Sequence, residues 1–237
     1  MLTVSIVSHG HGAMVADLLR DLEAVTVPLK VVLTLNVPEA DPLAAASLRY
    51  PLRIIRNATP RGFGTNHNVA FRVAGPGTFC VLNPDVRLQG DPFPALLAEL
   101  GDARVGAVAP KIVDPQGVME STARRFPTPI SILRKAAFGA PQAEYEIGTA
   151  PLAVDWVSGV CMVFSAEAFA HLKGFDERYY LYYEDVDLCA RLRAEGRTVR
   201  LVPAAVMVHA ARRDSHRDFR YMRWHLSSML RFFLTRY

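Results

Sequence analysis

No stretch of this chain approaches the roughly 20 uninterrupted apolar residues that a membrane-spanning helix needs, so no such span is expected. Cysteine is scarce as well: Cys80, Cys161 and Cys189 are odd in number, far apart and in no Cys-x-x-Cys spacing. That excludes a disulfide framework and a zinc knuckle, and a reducing compartment follows. After the first apolar run only Gly10 and Gly12 appear, without the third glycine of a dinucleotide fingerprint, which counts against a nicotinamide or flavin enzyme. Internal repeats and low-complexity tracts are absent. Acidic residues are few at the end of the chain, where Asp214 and Asp218 face seven arginines from Arg212 to Arg236.

What is present points to one large core. The 237 residues are 51% hydrophobic, enough for a single domain over 1–237. The opening Met1–Val7 lacks a basic leader, runs into His9-Gly10-His11-Gly12, and reads as a first buried strand. Short β-branched runs then alternate with helical patterns, the sign of βαβ units building a mostly parallel sheet. Strands are expected at Thr3–Val7, Lys30–Leu35, Arg53–Ile55, Thr78–Leu82, Val105–Ala109, Cys161–Phe164, Val199–Val202 and Val206–Val208. Helices are expected near Ala13–Leu22, Thr65–Val73, Phe93–Glu99, Ala166–Leu172 and Asp185–Glu195, with an amphipathic helix over Asp218–Leu234. Prolines 115, 127, 129 and 141 mark Asp114 to Ala150 as an irregular, mobile loop region.

Ligands of open α/β sheets bind beyond the carboxyl ends of the strands, so Asn83-Pro84-Asp85, directly after an apolar run, is a candidate site. Asp85 offers the hard oxygen that Mg²⁺ or Mn²⁺ prefers; the plainer reading is a turn. In Tyr179-Tyr180-Leu181-Tyr182-Tyr183-Glu184-Asp185, aromatics precede paired carboxylates at a helix start. Asp185 suits a base for an acceptor hydroxyl, with the tyrosines as a sugar platform; alternatively Glu184 and Asp185 cap the helix. Asp187 is expected to pair with Arg191 one turn on. His209 follows Val206–Val208 and is a candidate metal partner, whereas the remaining histidines show no ligand spacing. Gly62-Phe63-Gly64 before a helix, with Asn66 and Asn68, suits close approach of backbone amides to phosphates.

Taken in order, these pieces resemble the family 2 glycosyltransferases of the GT-A fold, within them the bacterial rhamnosyltransferase-like group. The most specific match is Asp155-Trp156-Val157-Ser158-Gly159, then Gly174-Phe175-Asp176-Glu177, then Tyr183-Glu184-Asp185-Val186-Asp187-Leu188-Cys189-Ala190-Arg191-Leu192. The resemblance implies an α/β chain with a Rossmann-like central sheet flanked by helices. Its nucleotide-sugar-binding half is 1–110, its acceptor-side catalytic half 111–211, and its basic C-terminal helix 212–237. It implies inverting transfer with Asp185 as general base, and a divalent Mg²⁺ or Mn²⁺ held by Asp85 and His209. Ser8, Asn36, Glu39, Gly62, Asn68 and Asn83 would face the nucleotide-sugar, with Arg212 and Arg213 closing over the diphosphate. Trp156, Gly159, Phe175, Asp176 and Glu184 would shape the acceptor side. Asn83 departs from the first aspartate of the family's Asp-x-Asp, and Leu35-Asn36 from its Asp-Asn pair. The implied donor is dTDP-rhamnose and the acceptor a glycan or lipid-linked glycan in surface polysaccharide synthesis at the cytoplasmic face of a membrane. A turnover-deficient nucleotide-sugar-binding protein is the alternative. The terminal helix is left open to docking on the catalytic domain, on a membrane surface or on a second copy; nucleic acid is not an expected partner.

Overall fold

In the computed structural model, which describes residues 1–42, 48–139, 144–210 and 219–236, the apolar runs of the first half become parallel strands. They are β1 (Leu2–Ser8), β2 (Leu29–Leu35), β3 (Leu52–Arg56) and β4 (Thr78–Leu82), linked through α1 (Gly12–Asp21) and α2 (Phe63–Arg72). Then come β5 (Val86–Leu88), α3 (Phe93–Leu100), β6 (Val105–Val113), β7 (Ala123–Arg124), α4 (Pro129–Phe138), β8 (Leu152–Val154) and β9 (Trp156–Val157). The chain continues through β10 (Cys161–Ser165), α5 (Ala166–His171), α6 (Glu184–Ala194), β11 (Thr198–His209) and α7 (Phe219–Arg236).

The main sheet has the order β3-β2-β1-β4-β10-β6-β11-β5, with β8 also paired to β11. Pairing directions put β1, β2, β3, β4, β6 and β11 one way and β5, β8 and β10 the other. The sheet is therefore mostly parallel, and the carboxyl ends of β1, β2, β4 and β11 open on a common edge. Val4, Ile6, Leu33 and Cys80 bury one face against Val15, Leu18 and Leu19 of α1 and Phe93 and Leu96 of α3. Val32, Phe79, Val81 and Phe164 bury the other against α2, α5 and α6 through Ala70, Phe169, Leu188 and Leu192. Coverage of both faces is why β4 and β10 read as nearly unbroken apolar runs, while β1 buries Thr3, Ser5 and Ser8 among its apolar residues, Ser5 being bonded to His67.

Three expectations need correction. The Asp114–Ala150 region contains α4, because Pro129 stands in the first turn, where a missing N–H costs nothing, and Thr128 and Ser131 form a reciprocal capping box. The two short strands expected at Val199–Val202 and Val206–Val208 are one strand, β11, with a register shift between Val202 and Val206, where Pro203 cannot donate to the ladder. Strand β5 was not expected at all, since Val-Arg-Leu is too short to show a period.

Beneath the sheet's carboxyl edge, His67 of α2 is buried, bonded through Nδ1 to Ser5 Oγ at 2.8 Å and packed edge-to-face with Phe63. Burial pushes its pKa down to about 3. The unfolded chain would bind this proton near pH 6.5, so between those values the unfolded state holds more protons and stability falls as pH falls. His67→Gln should therefore flatten the loss of stability between about pH 6 and pH 4 by up to about 1.4 kcal/mol per pH unit. Chemical denaturation across that range measures it, and parallel curves for the two proteins would mean that His67 takes up its proton while folded.

Candidate active site

The short β5 pairs antiparallel with the end of β11, Val86 opposite His209, and the N–H of Ala210 donates to the carbonyl of Asp85 at 2.9 Å. This sets Asp85 Oδ2 3.2 Å from His209 Nε2, while His209 Nδ1 lies 2.8 Å from Glu120 Oε2. Burial opposes charge on both members of the pair, but their mutual hydrogen bond and attraction outweigh it. Asp85 is held below the usual carboxylate range, and His209, with Glu120 adding to Asp85, is raised to about 9. Asp85 Oδ1 is buried without a partner. That free oxygen beside an imidazole suits a divalent cation whose other positions are filled by diphosphate oxygens and water. Among the described residues no three His, Cys, Asp or Glu side chains form a protein-only metal cage.

Asp85 lines a cavity of about 410 Å³ with Asn36, Asn83, His9, His11, Arg61 and Phe63, closed on the far side by Tyr180, Tyr221 and Trp224. Asn36 faces it while its amide holds the chain at Arg61, donating to the Arg61 carbonyl at 3.0 Å and accepting its N–H at 2.8 Å. Ser8 and Glu39 lie behind the lining: Ser8 Oγ donates to Glu39 Oε2 at 2.8 Å and accepts from His11 N at 3.1 Å, and Glu39 Oε1 accepts from Gly10 N at 3.1 Å. Their work is to shape the turn that carries His9 and His11 inward. Those two histidines and Arg61 were not anticipated, although the carboxyl end of β1 marks their neighbourhood. Gly62 is required by packing, because a Cβ there would meet the Tyr180 carbonyl oxygen at 2.7 Å.

On the other side of Phe63, Asp185 at the start of α6 accepts from Gly159 N at 3.0 Å through Oδ2 and from Val186 N at 2.8 Å through Oδ1. Burial pushes its pKa up; the backbone N–H groups and the charge of Arg124 pull back without cancelling the rise. Val160, next to Gly159, accepts from Asn83 N at 2.9 Å. The Gly159–Val160 turn thus touches both carboxylate sites, and Phe63 packs on Gly159 while lining the cavity. Tyr182 and Tyr183, immediately before Glu184, are left-handed (φ 70° and 66°), a conformation that costs non-glycine residues on the order of 1 kcal/mol each and that clusters at functional sites.

Several expected contacts fall elsewhere. Asn68 is not in the cavity: its amide clamps Phe175, accepting from Phe175 N at 2.9 Å and donating to its carbonyl at 2.9 Å. Phe175 is buried among Phe63, His67 and Phe169, away from the surface, and the partly exposed Asp176 pairs with Arg178. Glu184 is buried too, its Oε2 unpartnered. Gly159 lies against Asp185, and Trp156 is half-buried, its Nε1 donating to the Arg125 carbonyl at 2.9 Å. Of the four tyrosines at 179, 180, 182 and 183, Tyr180 lines the cavity, its ring against Trp224 with centroids 4.7 Å apart; Tyr179 and Tyr183 are buried and Tyr182 meets His225. Asp187 pairs with Arg191 at 2.7 Å as expected, and with Arg236 at 3.1 Å. Arg212 and Arg213 lie outside the described residues.

A family profile described as "Glycosyltransferase like family 2" matches residues 2–226. The chain is 27% identical to rhamnosyltransferase WbbL of Escherichia coli (strain K12), across 98% of this chain and 92% of the relative. It is 32% identical to the N-acetylglucosaminyl-diphospho-decaprenol L-rhamnosyltransferase of Mycobacterium tuberculosis (strain ATCC 25618 / H37Rv), across 92% and 78%. Two solved structures are similar in fold. GalNAc-T7 with UDP, GalNAc and Mn²⁺ has a TM-score of 0.69 at 15% identity, covering 90% of this chain and 44% of that one. The mannosyltransferase PcManGT of Pyrobaculum calidifontis with GDP-Man and Mn²⁺ has 0.66 at 18%, covering 97% and 64%. The chain spans less than two thirds of either structure, and the fold they share with it is GT-A.

Glu184 gives this region a measurable property. Burial, then the charge of Asp185, pushes its pKa well above the ordinary glutamate value. The folded state therefore holds a proton that the unfolded state releases above about pH 4.5, and stability falls as pH rises through that window. Glu184→Gln removes the ionisation. Its thermal midpoint at about pH 8 should exceed the parent's by roughly 2–4 °C, the shift that about 1 kcal/mol makes in a chain of this size, and the gap should close near pH 4. A lower midpoint at pH 8 would show that the ionised carboxylate has a stabilising partner.

Proposed function

Since the chain belongs to the family 2 glycosyltransferases, we propose that it transfers rhamnose from dTDP-rhamnose, with inversion, onto a lipid-linked glycan during surface polysaccharide synthesis at the inner face of the cytoplasmic membrane. That it is a nucleotide-sugar-dependent glycosyltransferase of glycan synthesis follows from the family and its relatives. The observation that carries the finer reading is the pair of carboxylates flanking the Gly159–Val160 turn, one against His209 and one cradled by backbone N–H groups. The rhamnosyl donor and lipid acceptor are supported by the names of the two curated relatives, and the membrane site by the decaprenol in one of them. Among the described residues no helix is long and apolar enough to cross a membrane.

Asp85 and His209 would hold Mg²⁺ or Mn²⁺, which when bound supplies positive charge to offset that developing on the nucleoside diphosphate leaving group. Glu120, bonded to the other ring nitrogen of His209, fixes the imidazole so that Nε2 faces Asp85, the arrangement usual around a metal-ligating histidine. His9, His11 and Arg61 bring further donors to the phosphates. Asp185 takes the proton of the acceptor hydroxyl as its oxygen attacks the anomeric carbon opposite the breaking bond to diphosphate. A raised pKa makes Asp185 a stronger base than an exposed aspartate, and the N–H groups of Gly159 and Val186 hold its oxygens in place. Asn83 offers the cation a neutral amide where the family has a carboxylate, which leaves Asp85 and His209 as the side chains to hold it.

Asp185→Asn should lower transfer from dTDP-rhamnose by at least about 100-fold while leaving donor affinity unchanged. Retained turnover would reject Asp185 as the base. His209→Ala should raise the Mn²⁺ concentration needed for half-maximal release of nucleoside diphosphate by about tenfold or more. In thermal-shift titrations, dTDP with Mn²⁺ should stabilise the protein more than UDP or GDP with Mn²⁺, because a ligand that binds only the folded state raises its stability. A larger shift with another base would reassign the donor, and equal shifts with and without the cation would remove the metal.

A further inference from the structure

Two helices outside the cavity's inner wall present apolar side chains to solvent. On α7, Phe219, Met222, Leu226, Leu230 and Leu234 are all more than half exposed, Leu234 at 76%. At about 100° per residue they form one stripe about 120° wide. The opposite face is the docked one: Phe232 packs on Tyr183, Ser228 Oγ donates to the Leu181 carbonyl at 3.0 Å, and Arg236 pairs with Asp187. On α4, Ile130, Leu133 and Phe138 are exposed at 70%, 71% and 87%. The segment that leads into α4 lies against α7: Phe126, three residues before Pro129, packs in one cluster with Met229, Phe232 and Phe233 around Tyr183.

Charge distinguishes the occupants of such a face. Neither helix contains an acidic residue, whereas α4 carries Arg134 and Lys135, and α7 carries Arg220, Arg223 and Arg231 beside or within its stripe. A second copy docking through the same face about a two-fold axis would set these cations against one another with no carboxylates from either helix to neutralise them. An anionic bilayer accepts both the apolar stripe and the cations. Position argues the same way. Tyr221 and Trp224 of α7 line the cavity while Leu226 and Leu230 face outward, so a bilayer on this face lies within one helix diameter, about 10 Å, of the cavity.

We propose that α4 and α7 together form a docking surface for an anionic lipid bilayer, with Leu133, Leu226 and Leu230 inserted at the headgroup boundary and Arg134, Arg223 and Arg231 against the lipid phosphates. This deepens the functional reading above by adding α4 to α7 and naming the lipid chemistry, and it rests on that reading only for the purpose the surface serves. The full chain should co-sediment with phosphatidylcholine vesicles containing phosphatidylglycerol and far less with phosphatidylcholine alone, binding falling as salt is raised. Leu226→Glu/Leu230→Glu and, separately, Leu133→Glu should each weaken vesicle binding by about tenfold or more. Release of nucleoside diphosphate from a soluble donor without vesicles should stay at the parent's rate in both variants, which shows that they are folded.

Equal binding to neutral vesicles, no binding to anionic ones, or loss confined to the α7 variant would overturn the two-helix surface. So would sedimentation of the parent as a dimer that Leu230→Glu dissociates. Vesicle binding by a parent that turns over no nucleotide-sugar would leave the surface standing and fail the enzymatic reading, so the two are separable.

Discussion

The candidate site depends on three residues of edge strand. Only the pairing of Val86 with His209 brings Asp85, just before β5, against the last residue of β11. Successive side chains of a strand point to opposite faces, so a one-residue slip would carry His209 away from both Asp85 and Glu120. A three-residue strand paired on one side has little hold of its own. The reinforcement comes from the end of α1: Asp21 accepts from Arg87 Nε at 2.6 Å and NH2 at 2.8 Å, and from Leu88 N at 3.1 Å. This bidentate ion pair with an added backbone bond is a geometry in which a partly exposed salt bridge fixes register, whatever small stability it adds.

The second half of the site is held under strain. Two left-handed tyrosines and a buried, unpartnered glutamate precede Asp185, arrangements that lower stability and persist only when their surroundings over-determine them. Those surroundings are visible. Tyr179 and Tyr183 are packed beneath α7, the Tyr180 carbonyl accepts from Phe63 N at 2.9 Å, and Gly62 leaves it room. The tyrosine-rich segment is thus mostly a buried wedge that sets the start of α6, with Tyr180 alone turned to the cavity. The N-terminus of α6 then supplies the Val186 N–H that, with that of Gly159, orients the Asp185 carboxylate.

Much of this was legible in the sequence, for a definite reason. Strands covered on both faces are largely apolar, with only small polar residues such as Thr3, Ser5 and Thr34 buried among them, so β1, β2 and β4 announce themselves, and the rule that ligands sit at carboxyl ends marks Asn83–Asp85. His209 was legible on the same ground. Residues whose chemistry serves binding and folding equally well were not. Asn68 can bond a ligand or clamp a backbone, and it clamps Phe175 107 residues away. Tyrosine can floor a sugar site or fill a core. His9 and His11 show no ligand spacing because a turn shaped by Ser8 and Glu39, not a regular element, aims them. Glu120 gave no signal, since it meets His209 only through the fold.

Placing the two carboxylates on different elements also keeps their electrostatics apart. Asp85 sits beside His209, whose hydrogen bond and charge outweigh burial and lower the carboxylate's pKa; a cation held by the two would take the place of the proton on Nε2. Asp185 faces backbone dipoles and a distant arginine, and burial raises its pKa, which a base requires. Were Asp85 placed against Asp185, as Glu184 is, their like charges would couple and the lowered pKa of Asp85 would be lost. Asn83 stands where the Gly159–Val160 turn joins the two sites, its backbone N–H donating to the Val160 carbonyl, so this link between them does not depend on its side chain.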